Sequence, residues 1–194
     1  DLVRSRGLGD VYKRQLYNIP INSSNGTTGV FGAVNITGIV KNLHIESSKV
    51  SITSKSKSTA EGTSILVGRN KGKILNCCVK ECQIAANPTK TNQSANTGGI
   101  AGTSTGEITN CYVTNTQIIY DANSKIKAGP AGGIAGSSQA QGLIANCYSA
   151  NNIIKNRESY NGGICGKASD GAHIENCYVY NIDPVSYTHL RAHE

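Results

Sequence analysis

Gly99-Ile100-Ala101-Gly102, followed by Gly106-Glu107-Ile108-Thr109-Asn110-Cys111-Tyr112-Val113, decides the fold, because the chain repeats it. The pattern returns as Gly133-Ile134-Ala135-Gly136 with Gly142-Leu143-Ile144-Ala145-Asn146-Cys147-Tyr148. A further copy reads Gly163-Ile164-Cys165-Gly166 with His173-Ile174-Glu175-Asn176-Cys177-Tyr178-Val179. Looser copies lie upstream: Leu66-Val67-Gly68 with Lys73-Ile74-Leu75-Asn76-Cys77-Cys78-Val79, and Gly29-Val30-Phe31-Gly32 with Ile39-Val40-Lys41-Asn42-Leu43-His44-Ile45. Asn42, Asn76, Asn110, Asn146 and Asn176 form one column, at spacings of 34, 34, 36 and 30 residues. Self-similarity at such a period marks a stacked repeat, and variable spacing outside a fixed motif belongs to loops.

Within one copy, side chains alternate with the period of a strand. Ile108 points in and Thr109 out, Asn110 takes a corner, then Cys111 points in, Tyr112 out and Val113 in. Asn tolerates left-handed backbone angles, so it suits the bend. Across stacked rungs each corner Asn can also pair with the Asn above and below. Gly99, Gly102 and Gly106 bracket the short strand Ile100-Ala101, and a third burst follows at Gln117-Ile118-Ile119-Tyr120, repeated at Asn152-Ile153-Ile154-Lys155. Three short strands per period close one rung, and rungs stacked about 4.8 Å apart make a parallel β-helix. The expected fold is therefore an all-β solenoid of about five rungs, roughly 20–25 Å tall. Crossover handedness favours a right-handed coil. The polar segments Ser54 to Glu61, Ala86 to Thr97 and Asp121 to Ala131 all leave one place in the rung, which marks a variable face.

Composition agrees: Gly, Asn, Ser and Thr are abundant, with Tyr 9, Phe 1 and Trp 0. Ile and Val come in short alternating bursts between turn residues, a strand signature. The ends stand apart. Asp10-Val11-Tyr12-Lys13-Arg14-Gln15 resembles a translated transposon-type sequencing adapter, and Val185-Ser186-Tyr187-Thr188-His189-Leu190 resembles the same oligonucleotide read on the opposite strand. Such segments are excluded from fold reasoning. The expected division is 1–15 adapter-like, 16–28 lead-in, 29–183 repeats and 184–194 adapter-like. The absence of Met fits an internal piece of a longer gene. Of the formal net charge of +7, residues 1–15 account for +2 and residues 185–194 for 0, leaving +5. The lysines are scattered singly among Ser, Thr and Asn, which argues for a solvated surface and against a nucleic-acid stripe.

The Gly-Ile-Ala-Gly…Gly-x-Ile-x-Asn-Cys-Tyr pattern resembles the GLUG repeat of bacterial surface proteins, from Gly29 to Asn181. The first copy departs from it, with Leu43 and His44 for Cys and Tyr. The second has Cys78 for Tyr, and Ile65 in place of a glycine. Such repeats are known from secreted and cell-wall proteins, adhesin-like proteins and non-catalytic regions of IgA-specific metallopeptidases. The resemblance implies an extracellular or bacterial cell-surface location, and an extracellular protein or glycan as partner. It implies no reaction.

Seven cysteines suggest a disulfide framework or a metal site. Four of them, Cys77, Cys111, Cys147 and Cys177, share one inward column, however. Free Cys packs as a small hydrophobe, and parallel stacked side chains give poor disulfide torsions. No C-x-x-C pair is present for zinc. The expectation is a buried ladder of reduced, apolar thiols. Tyr112, Tyr148 and Tyr178 form the neighbouring outward column, read as a cross-rung aromatic ladder rather than a row of sugar platforms. His44 and His173 are structural or surface residues, and no H-E-x-x-H stands in the chain. Glu46, Glu61, Glu81, Glu107, Asp121, Glu158, Asp170, Glu175 and Asp183 fall mostly in different columns, whereas a glycosidase needs two carboxyls converging on a cleft. Asn25 and Asn35 match glycosylation sequons, read as accidental in a bacterial chain. The sequence thus points to a non-catalytic structural or adhesive repeat region, with no cofactor, no metal, no nucleic acid and no membrane contact. The alternative is an accessory region of a secreted metallopeptidase or glycan-active enzyme whose catalytic domain lies elsewhere. Uncapped end rungs predict end-to-end self-association.

Overall fold

Two left-handed corners per turn, five residues apart, shape the molecule. The first set is Asn42, Asn76, Asn110, Asn146 and Asn176; the second is Asn18, Ser47, Glu81, Asn115, Asn151 and Asn181, all with φ between 46° and 57°. The computed structural model describes residues 14–23, 27–52, 62–86, 96–120, 129–156 and 160–185, and among these no helix occurs.

β1 (Arg14–Tyr17) and β2 (Pro20–Ser23) form a leading half-turn. β3 (Phe31–Val34), β4 (Ile39–Lys41), β5 (Leu43–Glu46) and β6 (Lys49–Ile52) form a four-stranded turn. The next turn contains β7 (Gly62–Ser64), β8 (Val67–Asn70), β9 (Lys73–Leu75), β10 (Cys78–Lys80) and β11 (Gln83–Ala86). After it come β12 (Asn96–Gly98), β13 (Ala101–Ser104), β14 (Glu107–Thr109), β15 (Tyr112–Thr114) and β16 (Gln117–Tyr120). β17 (Ala131–Gly132), β18 (Ala135–Ser138), β19 (Leu143–Ala145), β20 (Tyr148–Ala150) and β21 (Ile153–Lys155) follow. β22 (Asn161–Gly162), β23 (Cys165–Ala168), β24 (His173–Glu175), β25 (Tyr178–Tyr180) and β26 (Asp183–Val185) end the stack. Equivalent strands build five parallel sheets running along the stack: I through β7, β12, β17 and β22; II from β3 to β23; III from β4 to β24; IV from β1 to β25; V from β2 to β26.

The chain is a parallel β-solenoid, as expected, with two corrections. Four turns are complete rather than five; in the turn of β3–β6 a single Thr28–Thr63 bridge stands where sheet I would begin. Each full turn holds five strands rather than three. The glycine half is an arch, not one strand: Gly99 and Ile100 form its bend between β12 and β13. It closes tightly because a Cβ at Gly102 would collide with the backbone of Gly62 and Thr63. The second corner then divides the remaining half once more.

Register is constant, so like side chains stack. Ile74, Ile108 and Ile144 form one inward column, and Val50, Ile84, Ile118 and Ile154 another. All are buried, each contributing about 1.5–3 kcal/mol of burial energy. The last turn breaks the pattern: Ile174 is 41% and Val179 46% exposed, because nothing stacks on them among the described residues. The breaks at 53–61, 87–95, 121–128 and 157–159 all lie between sheet V and sheet I. The three polar segments read from the sequence fall mostly there, outside the described residues. Their margins do not, since Ala86, Asn96–Thr97 and Ala131 are strand residues. Strand pairing runs from Arg14 to Val185, slightly past both expected adapter boundaries. Backbone pairing accepts any sequence and so carries no information about those boundaries.

Candidate functional site

The first corner positions the predicted Asn and Cys columns. After the left-handed Asn76, Asn110, Asn146 and Asn176 the chain turns inward at Cys77, Cys111, Cys147 and Cys177, and after Asn42 at Leu43; the first three cysteines are buried and Cys177 half-buried. All seven cysteines are free thiols. The thiols do more than fill space, which corrects the apolar reading. The Cys77 amide donates to Cys111 Sγ at 3.4 Å, and the Cys111 amide to Cys147 Sγ at 3.4 Å. Each thiol donates in turn to the carbonyl two residues back: Cys77 to Leu75 at 3.3 Å, Cys111 to Thr109 at 3.2 Å, Cys147 to Ala145 at 3.1 Å and Cys177 to Glu175 at 3.2 Å. A corner turns backbone groups away from the sheet ladder, and a buried amide left there without a partner is costly. The thiol of the next rung supplies that partner. Hydrogen bonding with Cys147 and Cys77, together with burial, holds the Cys111 thiol above its ordinary pKa and keeps it protonated. The expected amide ladder of corner Asn residues is made at one step of this column, Asn76 Nδ2 to Asn42 Oδ1 at 3.2 Å.

The second corner carries a ladder that the sequence reading missed. Ser48, Cys82, Thr116 and Asn152 occupy its inward position. Ser48 N–H donates to Cys82 Sγ at 3.4 Å, Cys82 N–H to Thr116 Oγ1 at 3.3 Å, and Thr116 N–H to Asn152 Oδ1 at 2.8 Å. Burial pushes the Cys82 thiol up to about 11. The signal for this ladder was Asn115, Asn151 and Asn181, each five residues after a first-corner Asn.

On the outward side Tyr112, Tyr148 and Tyr178 stack with ring centroids 4.8 and 5.1 Å apart and planes 4° and 12° from parallel. Tyr148 is covered on both faces by its neighbours, while the outermost ring, Tyr178, is 58% exposed. Cys78 and His44 continue this column toward the start of the chain. A hydrogen bond with Cys78, then burial, raises the Tyr112 pKa.

The charged groups pair locally. Lys80 Nζ lies 3.0 Å from Glu46 and 3.1 Å from Glu81, and Lys73 lies 2.9 Å from Glu107. Lys80 beside it draws the Glu46 carboxyl below the usual range, and Lys73 does the same for Glu107. Glu61, Asp121 and Glu158 lie outside the described residues. His44 Nε2 stands 3.9 Å from Glu46, and His173 is exposed on β24. Among the described residues no three His, Cys, Asp or Glu side chains gather as a metal cage, and no helix is long and apolar enough to cross a membrane.

Fold and corners together define a β-solenoid repeat protein in which side-chain ladders tie each turn to the next. Residues 93–119 match the family model of the GLUG motif. That match covers β12 to β15 and all but the last residue of β16. Comparisons with curated proteins and with solved structures return no match.

Proposed function

We propose that this chain is a non-catalytic structural or adhesive repeat region of a secreted or cell-surface bacterial protein. One observation carries the reading: the same turn recurs in constant register, and the side chains at its repeated positions are engaged with the turns above and below rather than converging on a cleft. Stability in such an array is close to a sum of turn and neighbour terms, which suits a stalk or display element. The partner is an extracellular protein or glycan. Long-read sequencing of the whole gene tests this. A secretion signal, further turns of this kind and a wall or membrane anchor support the reading. A catalytic domain beside the repeats would instead make this region the accessory arm of a secreted metallopeptidase or glycan-active enzyme.

A further inference from the structure

The outward column of sheet IV sets one thiol and three phenols in line. Cys78, Tyr112, Tyr148 and Tyr178 follow one another in constant register. The three rings stack at 4.8 and 5.1 Å, 4° and 12° from parallel. Tyr112 shares a hydrogen bond with Cys78. Cys78 lies on the outward face, yet it is 1% exposed, and it takes no part in either corner ladder. With Trp 0 and Met 0 in the chain, phenols and thiols are the side chains that a one-electron oxidant attacks. The phenols of Tyr112 and Tyr148 are half-buried and meet solvent first; the thiol does not.

We propose that the stacked tyrosines form a relay that carries oxidising equivalents from a one-electron oxidant in solvent to the buried Cys78 thiol. A phenol gives one electron to the oxidant and its hydroxyl proton to water. The next ring in the stack gives up an electron and its hydroxyl proton to the phenoxyl so formed, and the oxidised position moves one rung. At Tyr112 the phenoxyl takes a hydrogen atom from Cys78, which restores the phenol and leaves a thiyl radical. The hydrogen bond already holds oxygen and sulfur together for that exchange. A second equivalent removes one more electron; water adds at sulfur and a proton leaves, giving the sulfenic acid. For each thiol, two one-electron oxidants are reduced, one water is consumed and two protons are released. The column thereby turns radical damage on the exposed face into a single reversible oxidation at sulfur.

Photo-oxidised tris(bipyridine)ruthenium, with a cobalt(III) ammine as the final electron acceptor, tests this on the full chain. That complex is too large to reach a thiol 1% exposed. Sulfenic acid is trapped with dimedone and located by tandem mass spectrometry. Cys77 and Cys82, as buried as Cys78 but bonded into the corner ladders, are internal controls. Cys78 should be labelled well ahead of both. Tyr112→Phe should bring Cys78 down to their level. Tyr148→Phe, which interrupts the relay beyond Tyr112, should cause a smaller loss. Both substitutions keep a ring in the stack, and circular dichroism checks that each variant folds. Cys78 labelled no more than Cys77 and Cys82 overturns the inference. So does labelling of Cys78 that either substitution leaves unaltered.

Discussion

The two corners of each turn solve the same problem with different atoms. At the first, thiols accept the amide of the preceding rung at 3.4 Å. At the second, the acceptors change along the stack from sulfur to the Thr116 hydroxyl and then the Asn152 amide, and the bond shortens to 2.8 Å. Asn152 also donates to Val113 O and Ser149 Oγ, both at 2.9 Å. A corner therefore asks for a small side chain that both donates and accepts, rather than for cysteine as such. The thiol meets that need weakly, but its apolar bulk suits the dry core.

That contrast can be broken most severely at the oxygen-rich corner. Asn152→Ala removes one acceptor and two donated bonds from a buried site and should cost about 3 kcal/mol in a denaturant melt, the range for buried polar groups left unpaired. Alkaline pH attacks the sulfur instead. The Cys82 pKa is raised to about 11, so its contribution is complete below the unfolded thiol value near 8.5 and is lost as pH rises toward the folded value. Thermal melts should therefore show a fall of about 3 kcal/mol from this group across that window, which Cys82→Ser removes while the raised Cys111 thiol leaves its own share of the alkaline loss. Next comes Cys111→Ala, expected to cost about 1–2 kcal/mol, whereas Cys111→Ser, which keeps donor and acceptor, should cost about half as much. Equal losses in the two variants would mean that sulfur's bulk alone matters. The smallest effect is a gain. Glu81 holds φ 54° where the first corner always has Asn, so Glu81→Asn should add about 0.5 kcal/mol in the same melts.

Much of this was legible in the residues. Asn110 as a corner, Ile108 and Val113 inward and Tyr112 outward all follow from period-2 alternation broken at one Asn. The second corner was not read, because Ser47 and Glu81 interrupt the column that Asn18, Asn115, Asn151 and Asn181 spell out. The polar role of the thiols escaped for another reason. Which backbone amide a corner leaves without a ladder partner depends on the stacking of rungs, and a single copy of the motif does not contain its neighbour. The arch at Gly99–Ile100 hid similarly, since its tightness comes from contact between Gly102 and the preceding turn.

The central claim is that each corner amide is held by the side chain of the next rung. Residue-resolved amide hydrogen exchange in Cys111→Ala tests it most directly. The Cys77 amide donates to the deleted sulfur, while the amide of residue 111 donates to Cys147 Sγ, which remains. The account predicts that Cys77 loses protection and residue 111 keeps it. Unchanged protection at Cys77, or equal loss at both amides, would contradict it.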